Sequence, residues 1–381
     1  MKQKTQNQIE ISYSSDTTYL THNYHPYPCK FVPQIPQQII SKYSKEGDLI
    51  LDPFCGSGTT LTEASLLNRN AVGIDINPVG ALSAMVKATI LSESGKQVVN
   101  KLLDKIACKT SSAFEKFVES NFEEKFVPDF ENLNHWFFPF VIKELAVLKK
   151  LILEIKNAKA RNFLLVAFSN VIVSISKQDS ETRYVAVKKD TKKHQLFAMF
   201  SKKVGQMLQR NDEYAKQRSK SKISVFHADS RRMPQVSDSS VSLILTSPPY
   251  LNTFDYYLYH KLRIVWLGFS PKTMRDLEMG CHHTSSKYVT GFGRYKQDLS
   301  DIFAEFHRVL TKDGKVCLII GDAQVEKRRI DILSLVKELA IQHRFEIEDV
   351  ISQKLKKTTR SFNAKFSTSG KNEYMLLMHK I

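Results

Sequence analysis

The sequence predicts a doubly wound α/β domain interrupted by a helical insertion. Three observations carry that reading. Short apolar runs bounded by turn residues alternate with amphipathic helical patterns toward both ends of the chain. A glycine-bearing turn stands between the first such strand and the first helix. Residues 85 to 220, between the second and third strands, show helical periodicity instead.

In chain order, a polar lead (1–20) is followed by GDLILDPF (47–54), a short buried strand running into the glycine turn. Leu61, Ala64, Leu66 and Leu67 mark a helix, and AVGIDIN (71–77) a second buried strand, a unit of parallel-sheet type. HWFFPFVIKELAVLKKLILEI and RNFLLVAFSNVIVSI are the strongest helical runs, with Trp136, Phe137 and Phe138 read as helical core. The sheet pattern resumes with ISVFHAD (223–229) and VSLILTS (241–247). Ile302, Phe303, Phe306, Val309 and Leu310 repeat at helical spacing up to a turn at Lys312-Asp313-Gly314. KVCLIIGD (315–322) is a strand, Ile330 to Leu339 a helix, and FEIEDVI and EYMLLMHK closing strands. The chain thus divides into the lead, a sheet domain made from 21–90 and 221–381, and an insertion at 91–220.

The 381 residues carry 56 Lys and Arg against 39 Asp and Glu, a net charge of +17. Residues 177–222 contribute +8 and 354–381 contribute +6, which points to a polyanionic partner such as nucleic acid. The longest apolar stretch, Phe163 to Ser176, falls short of the roughly 18 to 20 residues that cross a bilayer. The N-terminus lacks the apolar core of a secretion signal, so the expected location is the cytoplasm. The five cysteines form no CxxC pair, so reduced thiols and no metal are expected.

The segment Asp52-Pro53-Phe54-Cys55-Gly56-Ser57-Gly58-Thr59-Thr60 joins the first strand to the first helix. Gly56 and Gly58 let backbone approach a ligand closely, and the helix start at Thr59 offers free N–H groups. Asp75 ends the second strand, 17 residues after Gly58, where an acidic side chain reaches the ribose hydroxyls of a nucleoside. Leu61 replaces the third glycine of a dinucleotide fingerprint, and no GxxxxGK[ST] occurs; the pattern points to a nucleoside ligand without a pyrophosphate. Asp229 ends the third strand, where a carboxylate can accept from the exocyclic amine of an adenine.

The fourth strand ends in Thr246-Ser247-Pro248-Pro249-Tyr250. Two prolines cannot continue a ladder, so the chain leaves the sheet as a stiff turn at the strand end where ligands of open α/β sheets bind. A backbone carbonyl and the Ser247 hydroxyl can accept hydrogen bonds from an aromatic amine, and the Tyr250 ring can stack on its base.

DPFCGSGTT followed by TSPPY resembles the DNA amino-methyltransferases, which methylate cytosine N4 or adenine N6 from S-adenosylmethionine. The resemblance extends to THNYHPYPCKF (21–31), HRVLTKDGKVCLIIGD and NEYMLLMHK. It implies a class I methyltransferase sheet, Rossmann-like and seven-stranded, whose last strand inserts antiparallel between strands five and six. It implies that Lys30, Phe31, Asp52, Phe54, Gly56, Gly58, Thr59 and Asp75 hold S-adenosylmethionine, with Asp229 near its adenine. Ser247, Pro248, Pro249 and Tyr250 are then the catalytic turn that holds the target base. Double-stranded DNA becomes the expected substrate, with the target base flipped from the helix, and a cognate restriction endonuclease the implied partner. Within the family Ser before Pro-Pro goes mostly with cytosine N4 and Asp or Asn with adenine N6. Ser247 therefore favours N4, with N6 as the alternative. Arg183, Lys188, Lys189, Lys192 and Lys193, together with the polar loop 280–296, are candidate DNA-reading elements. RNA methylation and a catalytically inactive nucleic-acid-binding role are the competing readings. Cytosine C5 chemistry is not supported, because Pro28-Cys29 precedes the glycine turn and no ENV accompanies it.

Overall fold

A computed structural model describes residues 15–107, 110–285, 288–354 and 372–381. Most of the polar lead, Cys108 and most of the basic segment after 354 lie outside the described residues. The strands in chain order are β1 (Leu49–Asp52), β2 (Asn70–Asp75), β3 (Gln178–Ser180), β4 (Arg183–Ala186), β5 (Ile223–His227), β6 (Val241–Thr246), β7 (Leu310–Gly321), β8 (Ala323–Val325), β9 (Arg328–Ile330), β10 (Phe345–Lys354) and β11 (Asn372–Lys380). Seven of them form one sheet in the order β10-β11-β7-β6-β1-β2-β5, while β3-β4 and β8-β9 are separate hairpins. Neighbours from β7 to β5 pair in parallel, and β11 runs antiparallel between β7 and β10.

The central strands read as unbroken apolar runs because both faces of the sheet are covered. Ile50, Leu243 and Leu245 pack under the helices Gln34–Tyr43 and Thr59–Leu66. Leu51 and Ile244 pack on the opposite face against Tyr288–Val309 and Ile332–Gln342.

Three expectations are corrected. Lys312-Asp313-Gly314 is not a free turn but a break inside β7. Val241 pairs with Leu310 and Leu243 with Lys315, so residues 311–314 bulge across a single partner residue. Residues 280–296 are mostly helical, in His282–Ser285 and Tyr288–Val309. Gly291, Tyr295, Asp298 and Leu299 recur there at helical spacing and are buried, which fixes the helix to the sheet. The apolar stretch at 163–176 belongs to a longer helix, Ala158–Ile175, long and apolar enough to cross a membrane by length and composition. Phe163, Leu164, Phe168 and Ile172 of that helix are nonetheless buried in a helical core.

That core is the insertion. It is built from Glu93–Ile106, Ser111–Asn121, Pro139–Leu153, Ala158–Ile175 and Gln195–Gln217, with Trp136 and Phe137 buried in it. Tyr24, Leu262 and Trp266, which lie outside the insertion, share the same core. The β3-β4 hairpin was not foreseen. It is anchored by Glu181, whose carboxylate holds the fully buried Arg263 guanidinium at 2.7 and 2.8 Å, while Arg263 Nε donates to the Ser169 carbonyl at 2.9 Å. Glu181→Ala leaves that guanidinium buried and unpaired, so the expected loss is about 3 kcal/mol of unfolding free energy. Urea unfolding measures it; a loss below about 1 kcal/mol would show that the pair does not anchor the hairpin.

Candidate active site

From β1 the chain moves outward through β2 to β5, and it then returns to the other side of β1 as β6 and continues to β7. The carboxyl ends of β1 and β6 therefore flank the switch point of the sheet, where a crevice must open. Thr246 Oγ1 donates to Asp52 Oδ1 across it at 2.8 Å, and Phe54 N donates to the same oxygen at 3.2 Å. Burial raises the Asp52 carboxyl to about 6, against the pull of these hydrogen bonds.

The glycine turn sits on this crevice in a form that only glycine adopts easily. Gly56 has φ +48° and Gly58, which opens the helix Thr59–Leu66, has φ +79°. A Cβ on Gly58 would stand 2.8 Å from the Ala84 Cα, and one on Gly56 would stand 2.9 Å from the Tyr27 ring. Leu61, in place of a third glycine, packs where Gly73 of β2 leaves room; a Cβ there would be 2.5 Å from it. Asp75 holds the turn from the next strand, accepting from Gly56 N at 2.7 Å and Asn77 N at 2.8 Å. Its burial raises the carboxyl to about 7.

A cleft of about 870 Å³ opens between these elements. It gathers Lys30 and Phe31 from the N-terminal segment, Asp52, Phe54, Gly56 and Thr59 from the glycine turn, Asp75 and Asp229 from strand ends, and Ser247 and Pro249 from the proline turn. Ser57 and Thr59 have buried hydroxyl oxygens with no hydrogen-bond partner in the structure. Lys30 Nζ donates to the His22 carbonyl at 3.0 Å. Gly58 and Pro248 stand behind the wall.

Two predicted residues are arranged differently. Asp229 is engaged by Arg231: Oδ1 accepts from its backbone N and Nε, and Oδ2 from Nε and a terminal nitrogen, at 2.6–3.0 Å. Arg231 also bridges to Asp298 at 2.8 Å. Arg231 thus engages both carboxylate oxygens, while Asp229 stays on the cleft wall and half-exposed. Tyr250 is not on the cleft wall. Its ring lies on Gly321 of β7, where a Cβ would be 2.8 Å away, and its hydroxyl donates to Glu373 Oε1 of β11 at 2.7 Å. Ser247 Oγ is 3.4 Å from that hydroxyl, and the Pro249 carbonyl accepts from Tyr295 at 2.9 Å.

The cationic run is also divided. Lys189 turns inward to the Val173 carbonyl at 3.1 Å, and Lys193 pairs with Glu115 at 2.8 Å. Arg183, Lys188 and Lys192 are exposed, Arg183 with a loose pair to Asp179 at 3.4 Å. Beside them a second cleft is lined by Trp136, Phe130, Tyr184 and Lys261, whose ammonium lies 5.4 Å from the Phe130 and Tyr184 ring centres.

A family model described as DNA methylase, of N6/N4 type, matches residues 2–84, which include the glycine turn and Asp75. The Type II methyltransferase M.BsoBI of Geobacillus stearothermophilus is 24% identical over 333 residues, covering 81% of this chain and 65% of the relative. The Type II methyltransferase M.MvaI of Kocuria varians is 25% identical over 270 residues, 67% of this chain and 59% of the relative. M.MjaII of Methanocaldococcus jannaschii, also a Type II methyltransferase, is 22% identical over 82% of this chain and 74% of its own length. The chain is therefore similar in sequence to N6/N4-type DNA methylases, through the family model at its glycine turn and through these relatives along most of its length. It spans less than two thirds of the length of the first two of these relatives.

The sheet order with its inserted antiparallel strand is the one the family resemblance implied. Four residues of the cleft and its supports carried no signal in the sequence reading. Tyr27, under Gly56, lies inside the quoted segment THNYHPYPCKF, so its position was within reach. Glu373 lies inside the quoted NEYMLLMHK and Arg231 just beyond ISVFHAD, but neither carries a pattern of its own. Glu278, a buried carboxyl on the cleft wall, stands in a stretch with no motif at all.

Proposed function

We propose that the protein transfers a methyl group from S-adenosylmethionine to an exocyclic amine of a flipped base in duplex DNA, with cytosine N4 favoured over adenine N6. One observation carries the reading: the Asp75-pinned glycine turn and the Ser247–Pro249 turn line the same cleft at the switch point of the sheet. The first suits a nucleoside cofactor and the second an aromatic amine.

The residues fit the cofactor. Gly56 lines the cleft without a Cβ, Asp75 is an acceptor for ribose hydroxyls, and Lys30 with the unpartnered Ser57 and Thr59 hydroxyls suits the amino-acid end. S-adenosylmethionine supplies a methyl group made electrophilic by its sulfonium. The protein's part is to prepare the amine. Its lone pair is conjugated with the ring, and hydrogen bonds accepted from its protons by Ser247 Oγ and a backbone carbonyl of the turn push density back onto nitrogen. Holding nitrogen in line with the methyl group is worth about 7 to 11 kcal/mol for a well-oriented pair. Turning the base out of the helix costs a few kcal/mol; the Tyr250 ring, beside the cleft wall with one face on Gly321, offsets part of it by stacking through its other face.

Arg183, Lys188 and Lys192, beside the aromatic cleft at Lys261, form the proposed contact with the duplex backbone. Ser247 is the reason for preferring cytosine. Mass spectrometry of nucleosides from duplex DNA incubated with the protein and S-adenosylmethionine tests the proposal. N4-methylcytosine is expected, and charge reversal at Arg183, Lys188 and Lys192 together should remove most of it. N6-methyladenine keeps the reaction and overturns the role given to Ser247. Methylation of RNA alone, or no product, overturns the DNA reading.

A further inference from the structure

Four carboxyls line the cleft of a chain whose net charge is +17. Two have partners of their own: Asp229 is paired with the Arg231 guanidinium, and Asp52 ties β1 to β6. The third is Asp75. The fourth is Glu278, 2% exposed, at the end of the helix Pro271–Leu277. Its oxygens accept from Tyr256 N at 2.7 Å and Tyr257 N at 2.8 Å, one backbone donor each.

The placement of Glu278 on the cleft wall gives the acid a second purpose. Burial raises it to about 8, and the negative charges of Asp255 and Asp75 push it further the same way. Tyr27, Tyr256, Tyr257 and Tyr259 are also in electrostatic reach, and burial raises all four phenols, which keeps them neutral. Two acids that repel each other across a buried cleft are relieved by a cation placed between them. S-adenosylmethionine carries one net positive charge and S-adenosylhomocysteine none, the difference being the sulfonium.

We propose that Glu278 is a second acidic wall of the cofactor site, which with Asp75 selects the charged cofactor over the neutral product. The proposal rests on the S-adenosylmethionine reading of this cleft. By linkage, a bound cation favours the ionised acids, so protons leave as it binds and its affinity rises with pH while the acids titrate. The neutral product draws no such benefit.

Isothermal titration of the full chain with each ligand, without DNA, tests this. In the wild type the preference for S-adenosylmethionine should grow about tenfold between about pH 6.5 and pH 8.5, still rising above about pH 7.5. In Glu278→Gln it should level off above about pH 7.5, because the remaining acid, Asp75, has largely titrated by then, with S-adenosylhomocysteine affinity within about threefold of wild type. Glu278→Asp, which keeps the acid, should retain the upper part of the rise and serves if the glutamine variant does not fold. Equal weakening of both ligands at every pH, or an unchanged profile, overturns the proposal and leaves Glu278 a structural cap. A wild-type protein that binds neither ligand overturns the cofactor reading itself.

Discussion

Gly58→Ala is expected to weaken S-adenosylmethionine binding by about 30-fold or more and to destabilise the fold by about 3 kcal/mol. Two costs combine. The residue has φ +79°, a left-handed conformation that disfavours any Cβ. The new Cβ would also meet the Ala84 Cα at 2.8 Å, and a backbone atom in the middle of the helix Pro78–Lys87 cannot step aside as a side chain would. Relief requires the helix Thr59–Leu66 to tilt, which carries the ligand-facing turn with it. Gly56→Ala makes a useful contrast, since its obstacle is the Tyr27 ring and its φ of +48° is less extreme. Ligand titration and urea unfolding read the two effects separately. If Gly58→Ala binds the cofactor within about threefold of wild type, the turn is not the cradle described here.

Tyr250→Ala is expected to lower kcat/KM on duplex DNA by about 100-fold, with cofactor binding nearly unchanged. The expected loss on a mismatched target is several-fold smaller, because an unpaired base needs less help to leave the stack. Tyr250→Phe separates the ring from its tether. It keeps the stacking face but removes the donor to Glu373, whose carboxyl burial already raises above the ordinary range. Its loss should fall between wild type and the alanine variant. Equal losses for Tyr250→Ala on matched and mismatched targets would rule out a stacking role.

The sheet was legible because its strands are short apolar runs whose ends carry the punctuation: Asp52 before Pro53, Asp75, and Ser247 before two prolines. Local chemistry at those ends also predicts that they meet, since ligands gather at the carboxyl ends of parallel strands. What stayed hidden depends on distant partners. Nothing near Asp229 says that Arg231 will occupy both of its oxygens and reach on to Asp298. The five cations of the insertion look alike in sequence, yet a carbonyl at Val173 and a carboxylate at Glu115 withdraw two of them. The polar composition of 280–296 suggested a loop, whereas Gly291, Tyr295 and Leu299 on one buried helical face outweigh it. Glu278 had no neighbouring signal, because its meaning comes from strand β2 and from the segment at Tyr256.

The tether from Tyr250 to Glu373 also orders events in time. Glu373 belongs to β11, which follows the other described strands of the sheet in chain order, and β11 is the wedge that joins β10 to β7. Until that strand leaves the ribosome, β7 has an open edge and Tyr250 has no anchor. A nascent chain can therefore complete its glycine turn and its helical insertion while its base-holding turn is still unsecured. The Ser247–Tyr250 turn is in this way secured only in chains translated through β11.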